Sequence, residues 1–351
     1  MKNHFEIKNA TFSANKYKII KNVSFKIKEK GSIICLLGPS GVGKTTILRT
    51  IAGLNKLSDG EIILDNKVIS SKKKNLAPEE RNIALSFQEN SLFPHKNIIE
   101  NINLGLERKF LKKNLLSSNY LLELFDLQEI KFKYPHEIST GESQRVSIAR
   151  SLISCPELLL LDEPFSNIDQ ILRLKLQEKI KKIISETKIS TIIVTHDPNE
   201  AFYLGEQCGV IINDSLKQFD SPYNLYHYPN SEEVVNFFKK GVLIPAEVIS
   251  KNEIYQSELG KITGKFLKKF EKGTKVKLLI QPDDLEHDDS SKLKLEIVEK
   301  KFRGTDFIYT LKTKDNFQIP VLVHSHHTHQ HNINETFGIK VPIHINHLVC
   351  F

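Results

Sequence analysis

Apolar residues along this chain follow two successive patterns. Up to about residue 240, short unbroken apolar runs alternate with longer stretches of helical period; beyond it, short segments alternate apolar and polar positions in twos. The runs Ser32–Leu37, Leu158–Leu161 and Ser190–Thr195 read as strands buried on both faces, the pattern of a parallel sheet covered by helices. Helical patterns cover Val42–Leu54, Leu115–Leu127, the stretch from Ser139 through Leu152, and Glu232–Lys239. The later segments Gly241–Ile249, Lys275–Ile280, Leu293–Phe302, Asp306–Thr313, Phe317–His324 and His347–Phe351 carry Gly, Pro and Asp punctuation between them. They predict a small antiparallel barrel appended to an α/β domain. The expected domains are therefore 1–240 and 241–351, with a helical subdomain over about 89–150.

The first buried run leads straight into Gly38, Pro39, Ser40, Gly41, Val42, Gly43, Lys44, Thr45 and Thr46. Glycines at this spacing let the backbone curl with its N–H groups inward, and a helix N-terminus beside them attracts phosphate. Lys44 is placed for the β- and γ-phosphates and the Thr45 hydroxyl for Mg²⁺, so the chain is expected to handle ATP or GTP. The run Leu158–Leu161 ends on Asp162 and Glu163, which a parallel sheet would carry to its ligand-binding edge. There Asp162 is suited to hold Mg²⁺ and Glu163 to orient or deprotonate an attacking water. Between the two motifs, Ser139 and Gly141 open a helix and make a second anion-binding turn.

Composition narrows the class. The chain has 351 residues, enough for two domains, and no apolar run long enough for a membrane helix. The start of the sequence shows no signal-peptide core, so a soluble, cytoplasmic chain is expected. Four scattered cysteines, Cys35, Cys155, Cys208 and Cys350, read as free buried thiols. The net charge of +8 is spread over lysines that alternate with acids, a solvated surface rather than a nucleic-acid interface.

Taken together, these motifs resemble those of the ATP-binding subunits of ATP-binding cassette transporters, over about residues 1–240. The order is the family's: the phosphate loop, Gln88 in Ser-Phe-Gln-Glu, the signature Ile138–Glu142, Asp162-Glu163, Ser166–Asp169 and Thr195–Asp197. The resemblance implies a P-loop NTPase fold with an OB- or TOBE-like regulatory barrel, and ATP with Mg²⁺ as the nucleotide complex. It implies a head-to-tail dimer in which Ser139, Thr140, Gly141 and Glu142 meet the ATP held by the other copy's phosphate loop. Phe12 is implied to stack on adenine, with Tyr17 as competitor. Gln88 is implied to reach Mg²⁺ or the attacking water, His196 to lie near the γ-phosphate, and Asp169 to communicate across the dimer.

Thr140 stands where the family commonly has glycine. If that position required a left-handed backbone, a β-branched residue would weaken dimer closure and slow turnover. The segment between Gln88 and Ser139, only about fifty residues, is too short for the coiled-coil arms of related DNA-repair ATPases. Ser91–His95 resembles the importer groove that receives a permease helix. Gly241–Ile249, Lys301–Asp306 and His347–Phe351 resemble the ferric-iron importer branch most, although polyamine, thiamine, phosphonate and sugar importers share the architecture. The implied partners are a permease and, indirectly, a periplasmic or surface solute-binding protein, with no nucleic acid, at the cytoplasmic face of the cell membrane. The histidine-rich tract His324–His331 is expected to be an exposed loop rather than a metal site.

Overall fold

A computed structural model of the chain describes residues 3–14, 18–87, 91–106, 116–166, 168–325 and 330–351. The chain forms two compact units, Met1–Leu225 and Tyr226–Phe351. The first runs β1 (Phe5–Ala14), β2 (Lys18–Ile27), β3 (Ile33–Leu37), α1 (Lys44–Ala52), β4 (Asp59–Leu64), β5 (Lys67–Ser71), β6 (Ile83–Ser86), α2 (Ile98–Asn103), α3 (Ser118–Leu124), α4 (Thr140–Leu152), β7 (Leu158–Asp162), α5 (Gln170–Thr187), β8 (Ser190–Thr195), α6 (Pro198–Leu204), β9 (Gln207–Ile212) and β10 (Ser215–Asp220). The division falls within α7 (Pro222–His227). The second unit continues with α8 (Glu232–Phe238), β11 (Val242–Ser250), β12 (Glu253–Gln256), β13 (Gly260–Phe266), β14 (Lys275–Ile280), β15 (Lys294–Phe302), β16 (Asp306–Lys312), β17 (Gln318–His324), β18 (Thr336–Gly338) and β19 (Ile343–Leu348).

In the first unit the strands form one sheet in the order β5-β4-β1-β2-β10-β9-β3-β8-β7-β6. From β9 to β6 every neighbouring pair is parallel, and every residue of β3, β7 and β8 is buried. This is the two-sided burial that their unbroken apolar runs predict. The other half of the sheet departs from a parallel expectation, because β1 pairs antiparallel with both β2 and β4. Only residues 15–17 separate β1 from β2, too few for the crossover of a dozen or more residues that a parallel pair needs. Phe5, Ile7, Phe12, Val23 and Ile47 join these strands and α1 in one core.

The second unit is β-rich, as its alternating pattern predicts. Its strands form a five-stranded sheet, β14-β11-β12-β13-β19, and a four-stranded sheet, β17-β16-β15-β18. Ile244, Leu278, Ile297, Tyr309, Val321 and Phe337 close a single core between them. Pairing is antiparallel except between β13 and β19, which run parallel from Ile262 opposite Ile343. The expected last strand at His347–Phe351 begins earlier, at Ile343, where Ile-His-Ile-Asn-His-Leu already alternates. Residues 226–240 fall in this unit rather than with the first, and Val235 of α8 packs on Leu279 and Val349. All four cysteines are free and buried.

Candidate functional site

Parallel register brings the carboxyl ends of three strands to one edge: Leu37 lies opposite Thr195, and Asp162 opposite Val194. Gly38, Glu163 and His196 therefore leave the sheet side by side. From β3 the chain turns through Gly38–Gly43 into α1, with Val42 N–H donating to the Pro39 carbonyl at 3.3 Å. Gly43 precedes the helix at φ 108°, where an L side chain is strained, so the loop needs glycine at this point. The predicted helix Val42–Leu54 is trimmed to Lys44–Ala52, bounded by Gly43 and by a second left-handed glycine, Gly53 at φ 91°.

The Lys44 side chain is buried and folds back over the loop, its ammonium donating to the carbonyls of Gly38 (2.8 Å) and Pro39 (3.0 Å). Burial lowers its pKa, opposed by the nearby carboxylates of Glu163 and Asp162. One position on, the Thr45 hydroxyl donates to Asp162 Oδ1 at 3.2 Å, joining α1 to the end of β7. Burial raises the Asp162 pKa; the Thr45 hydrogen bond opposes this and Glu163 adds to it. A hydroxyl and a buried carboxylate side by side are hard oxygen donors of the kind Mg²⁺ prefers, so this pair fits that ion.

Glu163 has a positive φ of 45°, a conformation that costs a non-glycine residue about 1–3 kcal/mol. Its backbone is held from three directions. The Glu163 N–H donates to Val194 O (3.0 Å), while its carbonyl accepts from Gln144 Nε2 (3.1 Å) and Ser166 Oγ (3.1 Å). The turn aims the Glu163 carboxylate at the loop after β8, where Oε2 lies 3.4 Å from His196 Nδ1. The carboxylate is largely shielded and the imidazole is 55% exposed. Beneath His196, the Thr195 hydroxyl donates to the Glu200 carboxylate at 2.5 Å and accepts from the Asp197 N–H at 3.0 Å, and Arg173 Nη1 lies 3.4 Å from Glu200. The strand end is thereby fixed from below.

Sequence reasoning assigned no role to Gln144. It sits on the buried face of α4, the helix that the signature opens, and its amide ties that helix to the strained turn at Glu163. The apolar period of α4 gives no sign of a polar residue on that face; only the contact identifies it.

The signature turn is a self-contained cap. The Ser139 hydroxyl accepts from the Glu142 N–H (3.2 Å) and donates to Glu142 Oε2 (2.9 Å), which also accepts from the Ser139 N–H (2.7 Å). Burial alone would push the Glu142 carboxyl up, but these hydrogen bonds outweigh it and hold the pKa below the ordinary range. Thr140 is the first residue of α4 and Gly141 the second, and neither has positive φ. The left-handed backbone that would have excluded a β-branched residue is therefore not required here.

Three further expectations fare differently. Phe12 is wholly buried in the core of the first unit and pairs across the sheet with Ile20, so neither face of its ring is open to a purine. It is a core residue, which corrects its assignment to adenine. Gln88 and Tyr17 lie outside the described residues. Asp169 caps α5, its Oδ1 accepting from the N–H groups of Ile171 and Leu172 at 3.1 Å each.

Residues 20–166 match the ABC transporter family. The chain is 35% identical over 258 residues to the Fe(3+) ions import ATP-binding protein FbpC 2 of Haemophilus influenzae, covering 73% of this chain and 72% of that protein. The chain belongs to the ABC transporter family. As such it is the ATP-binding, ATP-hydrolysing subunit of an importer. It is also 34% identical over 306 residues to the spermidine/putrescine import ATP-binding protein PotA of Thermotoga maritima, covering 86% of this chain and 79% of that protein. Among solved structures it is similar to the ATP-binding cassette MJ0796, dimeric in a post-hydrolysis state with ADP and Pi, at a TM-score of 0.54 and 28% identity. That likeness covers 62% of this chain and 98% of MJ0796. Among the described residues of the cassette, no helix is long and apolar enough to cross a membrane.

Proposed function

We propose that two copies of this cassette close head to tail around two Mg·ATP and drive uptake through a membrane permease, with ferric iron as the cargo. The observation that carries the reading is the convergence of Lys44, the Thr45–Asp162 pair and the Glu163–His196 pair on one edge of the sheet. A triphosphate entering the loop offers Lys44 oxygens in place of two backbone carbonyls. Thr45 and Asp162 would hold Mg²⁺, which when bound neutralises charge on the β- and γ-phosphate oxygens. Glu163, fixed by its strained turn, orients the attacking water and accepts its proton, and His196 steadies the γ-phosphate side of the site.

Ser139 and Gly141 of the second copy would complete the site across a two-fold axis, with Asp169 near the interface and Gln88 relaying the permease's state. The cassette would then sit at the cytoplasmic face of the membrane, fed indirectly by a solute-binding protein. Iron is supported by relatives named for Fe(3+) import at 35–37% identity, which cover 70–73% of this chain. A polyamine cargo is the second reading. It is favoured by coverage, since the PotA of Mycoplasma capricolum aligns with 96% of this chain at 30% identity, second unit included.

Hydrolysis by the purified chain and by Glu163→Gln, each sized by gel filtration in Mg·ATP, tests the motor reading. The variant is expected to lose about 10²-fold or more in turnover and to elute as an ATP-bound dimer. A variant that hydrolyses ATP like the parent chain would contradict the role of Glu163. Stimulation of hydrolysis in proteoliposomes carrying the permease, by binding protein loaded with Fe³⁺ or with spermidine, separates the two cargoes.

A further inference from the structure

The second unit contains a polar cluster that ATP hydrolysis does not use. His287 lies in the loop after β14, Asp289 two residues beyond it, and His331 before β18. His287 Nε2 is 2.9 Å from His331 Nε2 and 3.0 Å from Asp289 Oδ1, and His331 Nε2 is 3.2 Å from the same Oδ1. Two imidazole nitrogens and one carboxylate oxygen thus form a nearly equilateral triangle. Phe337 packs against both imidazoles and Tyr309 against His331. The His287 and His331 side chains are only 4% and 14% exposed, while Asp289 opens the cluster to solvent at 45%.

Hydrogen bonds alone do not suit this triangle. Each Nε2 carries one proton or none, so with both protonated the two nitrogens oppose each other as donors. With only one protonated, a bare nitrogen faces the carboxylate. A single cation bound by two neutral imidazoles and the carboxylate satisfies all three atoms at once. Cis ligands about 2.1 Å from an octahedral ion lie about 3.0 Å apart, close to the three observed edges.

The backbone holds the cluster in place. Asp288 N–H donates to Gly338 O at 3.0 Å, and a Cβ on Gly338 would stand 2.0 Å from Asp288 O, so only glycine lets β18 approach this loop. Lys300 Nζ donates to the His331 carbonyl at 2.9 Å. By contrast, in the cluster of His4, Asp65 and Glu157 in the first unit, both carboxylates already pair with a cation, the Lys30 ammonium, 2.6 Å from Glu157 and 3.4 Å from Asp65.

We propose that His287, Asp289 and His331 bind one first-row divalent transition-metal ion, of the class of Fe²⁺, Mn²⁺, Co²⁺ or Zn²⁺, through a two-histidine, one-carboxylate face. Within the histidine-rich tract, expected as an exposed loop, the two described ends differ. His324 is 81% exposed beside Asp306, 326–329 lie outside the described residues, and His331 turns inward to a preformed cluster. The proposal stands independently of the cargo.

The test is calorimetric titration of Zn²⁺ and Co²⁺ into the full chain in excess Mg²⁺ without nucleotide, with Co²⁺ also followed by its visible absorption. One equivalent per chain is expected to bind, with affinity falling by more than about tenfold in Asp289→Asn and His331→Gln. A variant with His324, His326, His327 and His329 all changed to serine should bind unchanged. Binding that survives both single substitutions, that vanishes with the tract, or that is absent from the parent chain overturns the proposal. Asp289, being largely exposed, carries the test if His331→Gln does not fold.

Discussion

The phosphate-loop corner and the signature turn both lie at helix N-termini, yet they are built differently. The corner gathers residues from three strand ends and one helix, and burial drives its charges toward neutrality, Asp162 upward and Lys44 downward. The signature turn is one short stretch of chain, and its Glu142 is held ionised by its own cap. The corner therefore holds desolvated charges and the strained turn of Glu163 in one place. The turn is a cap that satisfies its own hydrogen bonds. An active corner joined to a passive turn suits a site whose halves come from different copies.

The widest separation between them should appear in nucleotide binding. Lys44→Ala removes the buried cation and should abolish ATP binding and hydrolysis together, measured by fluorescent-nucleotide titration and phosphate release. Ser139→Ala should leave binding within about twofold and lower turnover by about tenfold or more, while costing about 1 kcal/mol of stability through the lost cap. Equal losses of binding in the two variants would erase the distinction.

Stability against pH is expected to differ in sign. The folded state raises the Asp162 pKa, so its contribution is full below the ordinary value of 3.8 and is lost as pH rises through the folded value. Asp162→Asn should therefore raise the unfolding midpoint of the nucleotide-free chain at neutral pH while weakening the Mg²⁺ dependence of hydrolysis. Glu142 has a lowered pKa, so its contribution is present above 4.5 and is lost as pH falls through the folded value. Glu142→Gln should lower the midpoint at neutral pH and flatten its fall in acid. Thermal unfolding of both variants between pH 4 and pH 8 measures this. Shifts of the same sign would show that burial does not set the two sites apart. The smallest effect expected is that of Thr140→Gly. Because Thr140 is right-handed, glycine relieves no strain, and turnover should change by less than about twofold. A large gain would mean that residue 140 limits closure.

The strands that carry the chemistry were legible because burial on both faces leaves an unbroken apolar run, as in β3, β7 and β8. The phosphate loop was legible because its backbone demands glycine, and Asp162 and Glu163 because they end such a run. Burial of Phe12 was less visible: an aromatic on an alternating strand suits the core as well as a ligand, and only the pairing of β1 with β2 and β4 decides. Gln144 was silent because its partner is a backbone carbonyl across the fold. The cluster of His287, Asp289 and His331 was hidden for a similar reason, since 44 residues separate two histidines that the second unit brings into contact.

Mixing the inactive Lys44→Ala with the slowed Ser139→Ala tests the central claim most directly. If each site joins one copy's phosphate loop to the other's signature, mixed dimers contain one site with both parts intact. The account predicts that the mixture hydrolyses ATP well above either variant alone. A mixture no more active than the average of its components would place both parts of the site in a single chain and contradict it.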